Sequence, residues 1–113
     1  MLKFIVVCHR RAGWSRERFR MYFREVHGPL AMAIPHVRRY VQNFVLPDET
    51  EGDPDWDAII EFWFEDRVAY DAAWSSAEGE RAAADNPNCM DMARTAWALV
   101  EEVTPRARAG PGG

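Results

Sequence analysis

The chain has 113 residues, of which 48% are hydrophobic and 12% aromatic, and this composition predicts one globular domain with its own core. Its net charge is −4 at pH 7 and it has no basic stripe with interleaved aromatic residues, so we expect no nucleic-acid partner. No apolar run reaches the roughly 20 residues of a membrane span, and the N-terminal run lacks a signal-peptide cleavage site. We therefore expect a cytoplasmic protein with no membrane partner.

The first part of the sequence predicts a strand followed by an amphipathic helix. A short apolar run rich in β-branched residues predicts a strand over residues 2–9. Gly13 marks the turn that follows, and Ser15 is suited to cap a helix over residues 16–27. The apolar stripe of this helix consists of residues at three- and four-residue spacing, namely Phe19, Tyr22, Phe23 and Val26.

His27 is the most conspicuous residue of this helix. It lies four residues after Phe23, so helical geometry places it on or beside the apolar stripe. Gly28 and Pro29 are predicted to break the helix directly after it. One further irregular helical turn is expected before Pro35. The break would fix where the histidine ring enters the interior.

The rest of the chain predicts three more strands and two more helices. A loop rich in Asp, Glu, Gly and Pro separates the second strand from the third. Asp66 is suited to cap the second long helix, with Val68 among its inward residues, and Asn86 begins the run that should end the helix after it. The predicted elements are strands over 37–46, 57–65 and 95–103, and helices over 67–75 and 77–85.

The order β-α-β-β-α-β predicts a ferredoxin-like α+β fold, a four-stranded antiparallel sheet with helices on one face. We expect this domain to span residues 1–104, followed by a flexible C-terminal tail over 105–113. The other face of the sheet would carry Val, Ile and Trp side chains with nothing over them. Such a face cannot sit in water without cost, so we expect a homodimer through the bare sheet face.

Four stretches of the sequence resemble the EthD family of dimeric α/β-barrel proteins, and together they run through most of residues 2–103. The His-Gly-Pro-Leu and Glu-x-Trp-Phe pieces, in that order and spacing, make the resemblance fairly specific. The stretches are Cys8-His9-Arg10-Arg11, Phe19-x-x-Tyr22-Phe23-x-x-x-His27-Gly28-Pro29-Leu30, Arg39-Tyr40-Val41-Gln42-Asn43 and Asp57-x-x-x-Glu61-x-Trp63-Phe64.

The resemblance implies a dimeric α+β barrel with a pocket inside each subunit, between the helices and the sheet. Relatives in this superfamily include small cofactor-free isomerases, cyclases and dehydratases that act on lactones and aromatic polyketide intermediates. Others are cofactor-independent monooxygenases. A small apolar ligand with a carbonyl group is therefore the expected partner, and no cofactor is expected.

His27 is the first candidate for catalysis, because a histidine at a pocket can move a proton near physiological pH. The alternative is a helix-terminal histidine that bonds a nearby carbonyl. Tyr40 could hold a substrate oxygen through its hydroxyl group, and Gln42 shares its side of the strand. Four aromatic residues could form an apolar substrate-binding wall or belong to the ordinary core: Phe23, Phe44, Phe62 and Trp97.

Other reactive side chains have structural interpretations. Glu61 shares its side of the strand with Trp63, so we expect it on the partner-facing side in an ion pair with an arginine. Cys8 and Cys89 are far apart and form no CxxC pair, so we expect buried, inert thiols. The three histidines show no i, i+4 pairing and no clustering with cysteine, and no Gly-rich phosphate loop occurs. We therefore expect neither a metal nor a nucleotide cofactor.

Three hypotheses for function follow. In the first, a cofactor-independent enzyme of isomerase, cyclase or dehydratase type acts by acid/base chemistry on a lactone or aromatic polyketide-like carbonyl compound. There, His27 moves the proton, Tyr40 and Gln42 hold the oxygen, and the aromatic residues desolvate the site. In the second, a cofactor-free monooxygenase uses the same pocket to form a carbanion that meets oxygen. The third is a non-catalytic small-molecule-binding protein, accessory to an oxygenase.

Overall fold

The computed structural model describes residues 1–48, 50 and 52–106, and its elements follow the predicted order. The predicted tail lies outside the described residues from residue 107 onward. The strands are β1 (Leu2–Cys8), β2 (Arg39–Phe44), β3 (Ala58–Phe64) and β4 (Ala96–Glu101). The helical segments are α1 (Arg16–Tyr22), a π-helical segment (Phe23–His27), α2 (Gly28–Met32), α3 (Arg67–Ser75) and α4 (Ala77–Cys89). Within the described ranges, no helix is both long and apolar enough to cross a membrane.

The four strands form one antiparallel sheet in the order β2-β3-β1-β4, which confirms the predicted α+β fold. In the register Phe4 lies opposite Phe62 on one side and Leu99 on the other, and Phe62 lies opposite Tyr40. Directly opposed residues share a face, so these four side chains lie on the face that the helices cover, here called the inner face. Residues of the opposite parity form the open face.

The first helical region does not break at Gly28, contrary to the sequence expectation. Gly28 has helical angles (φ −57°, ψ −48°), and its N–H bonds to the carbonyl of Phe23, five residues back. Pro29 has no N–H to offer and its ring would crowd the carbonyl of Glu25 in a regular α-helix. The wider π turn before it relieves this conflict, so the chain stays helical from α1 through α2.

The π-helical segment also explains which residues face inward. Positions four apart in an α-helix drift about 40° around the axis with each step. The wider π turn offsets this drift, because it fits one more residue into the turn. Phe19, Phe23, His27 and Ala31 are consequently all buried, although each follows the last by four residues. Val26, expected on the apolar stripe, is instead 44% exposed.

Helix α4 runs through Pro87 to Cys89, whereas the sequence predicted its end at Asp85. Ser76 caps its start by accepting a hydrogen bond from the N–H of Gly79. Pro87 lies near the end of the helix and does not terminate it, and the N–H of Met90 still bonds to the carbonyl of Asn86. This additional helical turn contains Asn86, Asn88 and Cys89. It therefore fixes where their side chains lie relative to Asp85 in the candidate site.

Aromatic rings fill the space between α3 and the inner face. The ring centroid of Trp74 lies 5.6 Å from that of Phe4 and 5.4 Å from that of Phe62. Tyr70 packs edge-on against Phe64, with the ring centroids 5.3 Å apart. Val68, an expected inward residue, is 78% exposed because it lies two positions from Tyr70, on the opposite side of the helix.

The open face carries one charged cluster around Trp63. Cationic groups of Lys3 and Arg39 each lie 4.7 Å from the Trp63 ring. Glu61 forms its ion pair with Lys3 and accepts a hydrogen bond from Asn43 at 2.8 Å. The expected arginine partner for Glu61 is therefore wrong, because Lys3 on the neighbouring strand is closer and Arg39 is occupied by the tryptophan ring.

Candidate functional site

A cavity of about 330 Å³ lies between the inner face of the sheet and the helices. Its walls are mainly apolar and aromatic, and they come from β1, β3, β4, the π-helical segment, α2, α3, α4 and the segment after α4. This is the shape and lining expected of a small-molecule site. The lining residues that matter below are Phe4, Phe23, His27, Phe62, Tyr70, Trp74, Ala83, Asn86 and Trp97.

His27 forms a buried pair with Asp85 of α4. Its Nδ1 lies 2.9 Å from Oδ2 of the carboxylate, and the two residues are 6% and 8% exposed. The hydroxyl of Tyr22 donates to Asp85 Oδ1 at 2.7 Å, and the amide of Asn88 donates to the same oxygen at 3.0 Å. Both carboxylate oxygens are thus engaged, and the ring of His27, a residue that lines the cavity, is held through its Nδ1.

Burial and hydrogen bonding set the protonation states of this pair. Burial lowers the pKa of His27, and this outweighs the opposing hydrogen bond and charge of Asp85. Burial raises the pKa of Asp85, but hydrogen bonds from Asn88, Tyr22 and His27 outweigh it and hold that pKa below its ordinary value. The pair is therefore a neutral imidazole bonded to a carboxylate. A carboxylate only accepts, so we assign the ring proton to Nδ1 and the lone pair to Nε2.

Four of the predicted site residues line the cavity: His27, Phe23, Phe62 and Trp97. The rings of Phe23 and His27 pack with centroids 4.7 Å apart. Trp97 is 50% exposed, because β4 is an edge strand and the helices do not reach over it. This half-exposed ring therefore lies where the cavity meets the edge of the sheet.

Tyr40, Gln42 and Phe44 do not line the cavity, although their strand parity is as predicted. The Tyr40 ring packs against Phe62 with centroids 4.8 Å apart, and burial raises the pKa of its hydroxyl to about 12. The amide of Gln42 donates to the Tyr40 hydroxyl at 3.0 Å. The Phe62 ring forms the cavity wall next to Tyr40, so the side chains of β2 form a layer behind that wall.

Gly28 connects this second layer to the histidine. A Cβ added at Gly28 would lie 2.7 Å from Nε2 of Gln42 and 2.8 Å from the carbonyl oxygen of Phe23. The Gln42 amide is the end of a flexible side chain and could shift, but the backbone carbonyl of Phe23 could not, so the π-helical turn itself requires glycine here. Gln42 packs against the helix one residue after His27.

Sequence reasoning missed Asp85, the residue that holds His27. The predicted helix ended at Asp85, so the side chain was treated as part of a helix terminus. A signal was present: Ala82, Asp85 and Cys89 lie at helical spacing, and the outer two are residues that are often buried. All three are buried in the structure. A carboxylate on such a stripe needs a buried partner, and the one histidine on an apolar stripe was the available choice.

His27, Asp85 and Cys89 offer ligand atoms that all lie within 4.8 Å of one another, and they are the group among the described residues that could hold a metal. Burial raises the pKa of the Cys89 thiol to about 12, which opposes the thiolate that a metal would need. The thiol instead lies 3.7 Å from the carbonyl oxygen of Asn86. These features favour a hydrogen-bonded cluster. Cys8 and Cys89 are both fully buried free thiols, as predicted.

A second, larger cleft of about 1030 Å³ lies at the other end of α1, and charged side chains line much of it. At its base, Asp57 accepts hydrogen bonds from the backbone N–H and side chain of Arg10 at 2.9 and 2.8 Å, and from Arg16 at 2.9 Å. Arg94 pairs with Asp55 across the same cleft. These arginines are neutralised by carboxylates, and the cluster joins three loops.

The sheet order, the helices on one face and the cavity between them define a ferredoxin-like α+β protein. Its family follows from the sequence: the chain belongs to the EthD family, because the model of the EthD domain matches residues 11–93. The resemblance drawn from the four stretches is thereby confirmed. No match was found among curated proteins.

Solved structures share the fold at low sequence identity. An ethyl tert-butyl ether D (EthD) family protein from Bacillus halodurans C-125 has a TM-score of 0.78 and 18% identity, covering 91% of this chain and 99% of its own. A dimeric ferredoxin-like protein from Bacteroides fragilis has a TM-score of 0.64 and 15% identity, covering 89% and 95%. SnoaB, a cofactor-independent oxygenase from Streptomyces nogalater, has a TM-score of 0.63 and 13% identity, covering 93% and 97%.

Proposed function

We propose that the chain is a cofactor-independent enzyme that moves a proton on a small carbonyl compound, a lactone or an aromatic polyketide-like molecule. The observation that carries the proposal is the hydrogen bond between His27 and Asp85 at the wall of an apolar cavity. A neutral imidazole with its lone pair on Nε2 is a base at pH 7. Burial next to a specific charge partner is typical of a residue used for chemistry.

In the proposed reaction, Nε2 of His27 removes a proton from the carbon beside the carbonyl group. The carboxylate of Asp85 stabilises the imidazolium that forms and keeps the ring oriented. The imidazolium then returns the proton at another atom, which gives an isomer, or protonates a leaving hydroxide, which completes a dehydration. Because the walls are largely apolar, little water competes for the carbanion.

Tyr40 and Gln42 keep a supporting role in this proposal. The Tyr40 hydroxyl and the Gln42 amide are bonded to each other behind the Phe62 ring, and Gln42 contacts the helix beside His27. They would fix the position of the base, and Phe44 would support the same layer through its contact with Phe23, at a centroid distance of 6.1 Å. Phe23, Phe62 and Trp97 would contact the substrate.

Proton exchange tests the proposed base without knowledge of the natural substrate. The probe is 1-tetralone, an aromatic ketone whose protons beside the carbonyl exchange with D₂O and are followed by NMR. We expect the protein to accelerate this exchange and the His27→Gln variant to lose about 10²- to 10⁴-fold of the acceleration. His36→Asn is the matched control, because His36 is exposed and its φ of 68° suits asparagine. Full exchange by His27→Gln would refute the proposal.

An oxygenase is the second candidate, because the same base and the same dry cavity would also generate a carbanion that reacts with O₂. The shared fold with SnoaB, a cofactor-independent oxygenase, makes this a reasonable comparison. Oxygen consumption in the presence of an aromatic ketone or phenol separates the two reactions, since isomerisation and dehydration consume none. Binding of such ligands with neither exchange nor oxygen uptake would favour the third possibility, a binding protein accessory to an oxygenase.

We infer that two copies of the chain associate through the open face. Ile5, Val7 and Ile59 lie there and are only half-buried within one chain. The neighbour from Bacteroides fragilis is dimeric. Val7→Arg would place a charge on this surface, and we expect it to give monomers in analytical ultracentrifugation. Val68→Arg, on the exposed side of α3, is the control that should remain dimeric, and a dimeric Val7→Arg variant would contradict the inference.

A further inference from the structure

A base that forms an enolate works best with a second group that holds the oxygen of that enolate. Besides His27, the Cys8 thiol and the half-exposed Trp97 at the sheet edge, three side chains with a hydrogen-bonding group line the cavity: Trp74, Tyr70 and Asn86. The indole N–H of Trp74 is fully buried and has no hydrogen-bond partner among the residues that the structure describes. Because its nitrogen is covered by neighbouring atoms, a ligand oxygen could reach it only if the ring moved.

Asn86 is better placed than either of the other two groups. It follows Asp85 directly in α4, so the same helix that holds His27 also presents Asn86 to the cavity. Ala82, Asn86 and Met90 line the cavity and lie four residues apart, on one side of α4 or just beyond its end. Within the described part of the chain, the Asn86 side chain makes no hydrogen bond, although its backbone carbonyl accepts one from Met90.

Tyr70 belongs to the aromatic packing at the far wall. Its ring contacts Phe4, Phe64 and Trp74, and the guanidinium of Arg67 lies 5.4 Å from the ring centroid. These contacts belong to α3 and the sheet, on the side away from the Asp85 cluster. His27 is bonded to α4, the helix that also carries Asn86, whereas Tyr70 belongs to α3.

We propose that the Asn86 carboxamide donates a hydrogen bond to the carbonyl oxygen of the ligand and thereby selects carbonyl compounds over hydrocarbons of the same shape. The proposal rests on the proposed function of the cavity, and it deepens that function by adding a group that recognises the oxygen. No described protein group occupies the donors of this carboxamide, so they are available to a ligand. The hydrogen bond strengthens as the oxygen gains negative charge during proton removal.

Binding of a matched pair of probes tests this role separately from catalysis. The probes are 1-tetralone and tetralin, which share a carbon skeleton and differ by the carbonyl oxygen. Binding is followed through the indole N–H signals of Trp74 and Trp97 in NMR titrations, since both residues line the cavity. We expect the wild-type protein to bind 1-tetralone more tightly, and Asn86→Leu to lose about tenfold in affinity for 1-tetralone but little for tetralin.

Three further variants complete the design. Asn86→Asp keeps the size but removes the amide donor, so it should lose the same selectivity, and it serves if the leucine variant does not fold. Ala83→Leu fills part of the same wall without removing a donor, and it should weaken both probes alike. Tyr70→Phe should leave the preference for 1-tetralone unchanged.

The proposal is overturned if wild-type protein shows no preference for 1-tetralone, or if the Asn86 variants weaken both probes equally. It is also overturned if Tyr70→Phe alone removes the preference. Failure of the proposed base gives a different result: His27→Gln would then exchange protons as fast as the wild-type protein, while the Asn86-dependent preference for 1-tetralone remains. The wild-type protein could also fail to accelerate exchange and still show an Asn86-dependent preference for 1-tetralone. The proposed base would then be wrong, and the proposed recognition role of Asn86 would be retained.

Discussion

Asp57 and Asp85 are both buried carboxylates, and each joins segments that are far apart in the sequence. Asp57 accepts hydrogen bonds from two arginines, which are cationic at any pH where the protein folds. Asp85 accepts from a tyrosine, an asparagine and a histidine, of which only the histidine changes charge near neutral pH. The difference between them lies in the partners, because the arginines keep their charge whereas the histidine beside Asp85 can take up and release a proton near neutral pH.

The two cavities beside these clusters also differ, in volume and in the polarity of their walls. The cleft above Asp57 has about three times the volume of the cavity beside Asp85, at roughly 1030 Å³ against 330 Å³. Three of its arginines, Arg10, Arg16 and Arg94, are paired with carboxylates, so a ligand that used them would have to displace ion pairs. The smaller cavity has apolar walls and a small number of polar groups, of which the Asn86 side chain makes no hydrogen bond within the described part of the chain. The proposed function therefore rests on the chemistry of the smaller cavity and not on its size.

The largest effect that the comparison predicts is the loss of catalysis in Asp85→Asn. An asparagine can donate its amide proton to Nδ1, which moves the ring proton to Nε2 and removes the base. We expect proton exchange on 1-tetralone to fall by about 10³-fold, equivalent to about 4 kcal/mol in the barrier. The matched control is Asp57→Asn, which alters the other cluster and should exchange at the wild-type rate once it is folded. Equal losses in both variants would mean that the clusters do not differ in role.

A smaller effect, on stability and not on catalysis, is expected for Asp57→Ala. The change leaves Arg10 and Arg16 without their buried partner and the N–H of Arg10 without its acceptor. Both arginines are partly exposed, so we expect a loss at the low end for broken buried pairs, about 3 kcal/mol in the free energy of unfolding. Urea unfolding measures it. Binding of 1-tetralone by the folded variant should be unchanged, and weakened binding would contradict the assignment of Asp57 to structure.

The smallest predicted effect is on the pH dependence of the free energy of unfolding, to which the cluster around Asp85 and the cluster around Asp57 should contribute in different pH ranges. The pKa of folded His27 lies below its unfolded value of about 6.5, so below that pH the unfolded chain takes up a proton that the folded protein does not. The free energy of unfolding should therefore begin to fall as the pH drops below 6.5, and this part should vanish in His27→Gln. A wild-type protein whose stability is flat between pH 7 and 5 would contradict the buried neutral ring.

Asp57 responds in a different pH range. Burial raises its pKa, but the hydrogen bonds of Arg10 and Arg16 outweigh burial and hold the pKa below its ordinary value of 3.8. A group with a lowered pKa contributes stability above the unfolded pKa and loses it as the pH falls through the folded pKa. The contribution of Asp57 should therefore persist through the range in which the contribution of His27 is already changing.

The fold was largely predictable because periodicity reports directly on strands and helices. β3 alternates between Ile60, Phe62 and Phe64 on the inner face and Glu61 and Trp63 on the open face, as the sequence indicates. The two errors in helix boundaries concern prolines. Local rules end a helix near Pro29 and Pro87, whereas the protein continues through both, once by widening a turn and once because the proline lies near the helix end.

The sequence predicted only those features of the site that depend on a single helix or strand, and it missed the features that depend on contacts between elements. His27 could be placed on the inner side of its helix from spacing alone. Its partnership with Asp85 spans 58 residues and depends on how α4 packs against the π-helical segment, which no local pattern reports. The placement of Tyr40 failed for a similar reason: its parity was right, but the Phe62 ring stands between it and the cavity.

The π-helical segment has a consequence for how this helix could be changed. It holds one residue more than regular α-helical hydrogen bonding needs, so removing an exposed residue such as Arg24 would let the segment become an ordinary α-helix. The same deletion would leave His27 on the buried side, because seven α-helical residues after Phe19 turn the chain by about 700°, close to two full turns. Pro29 would then follow a regular α-helical turn, in which its ring crowds the carbonyl of Glu25. The surplus residue thus makes room for the proline, and its removal would destabilise the helix without turning His27 away from the cavity.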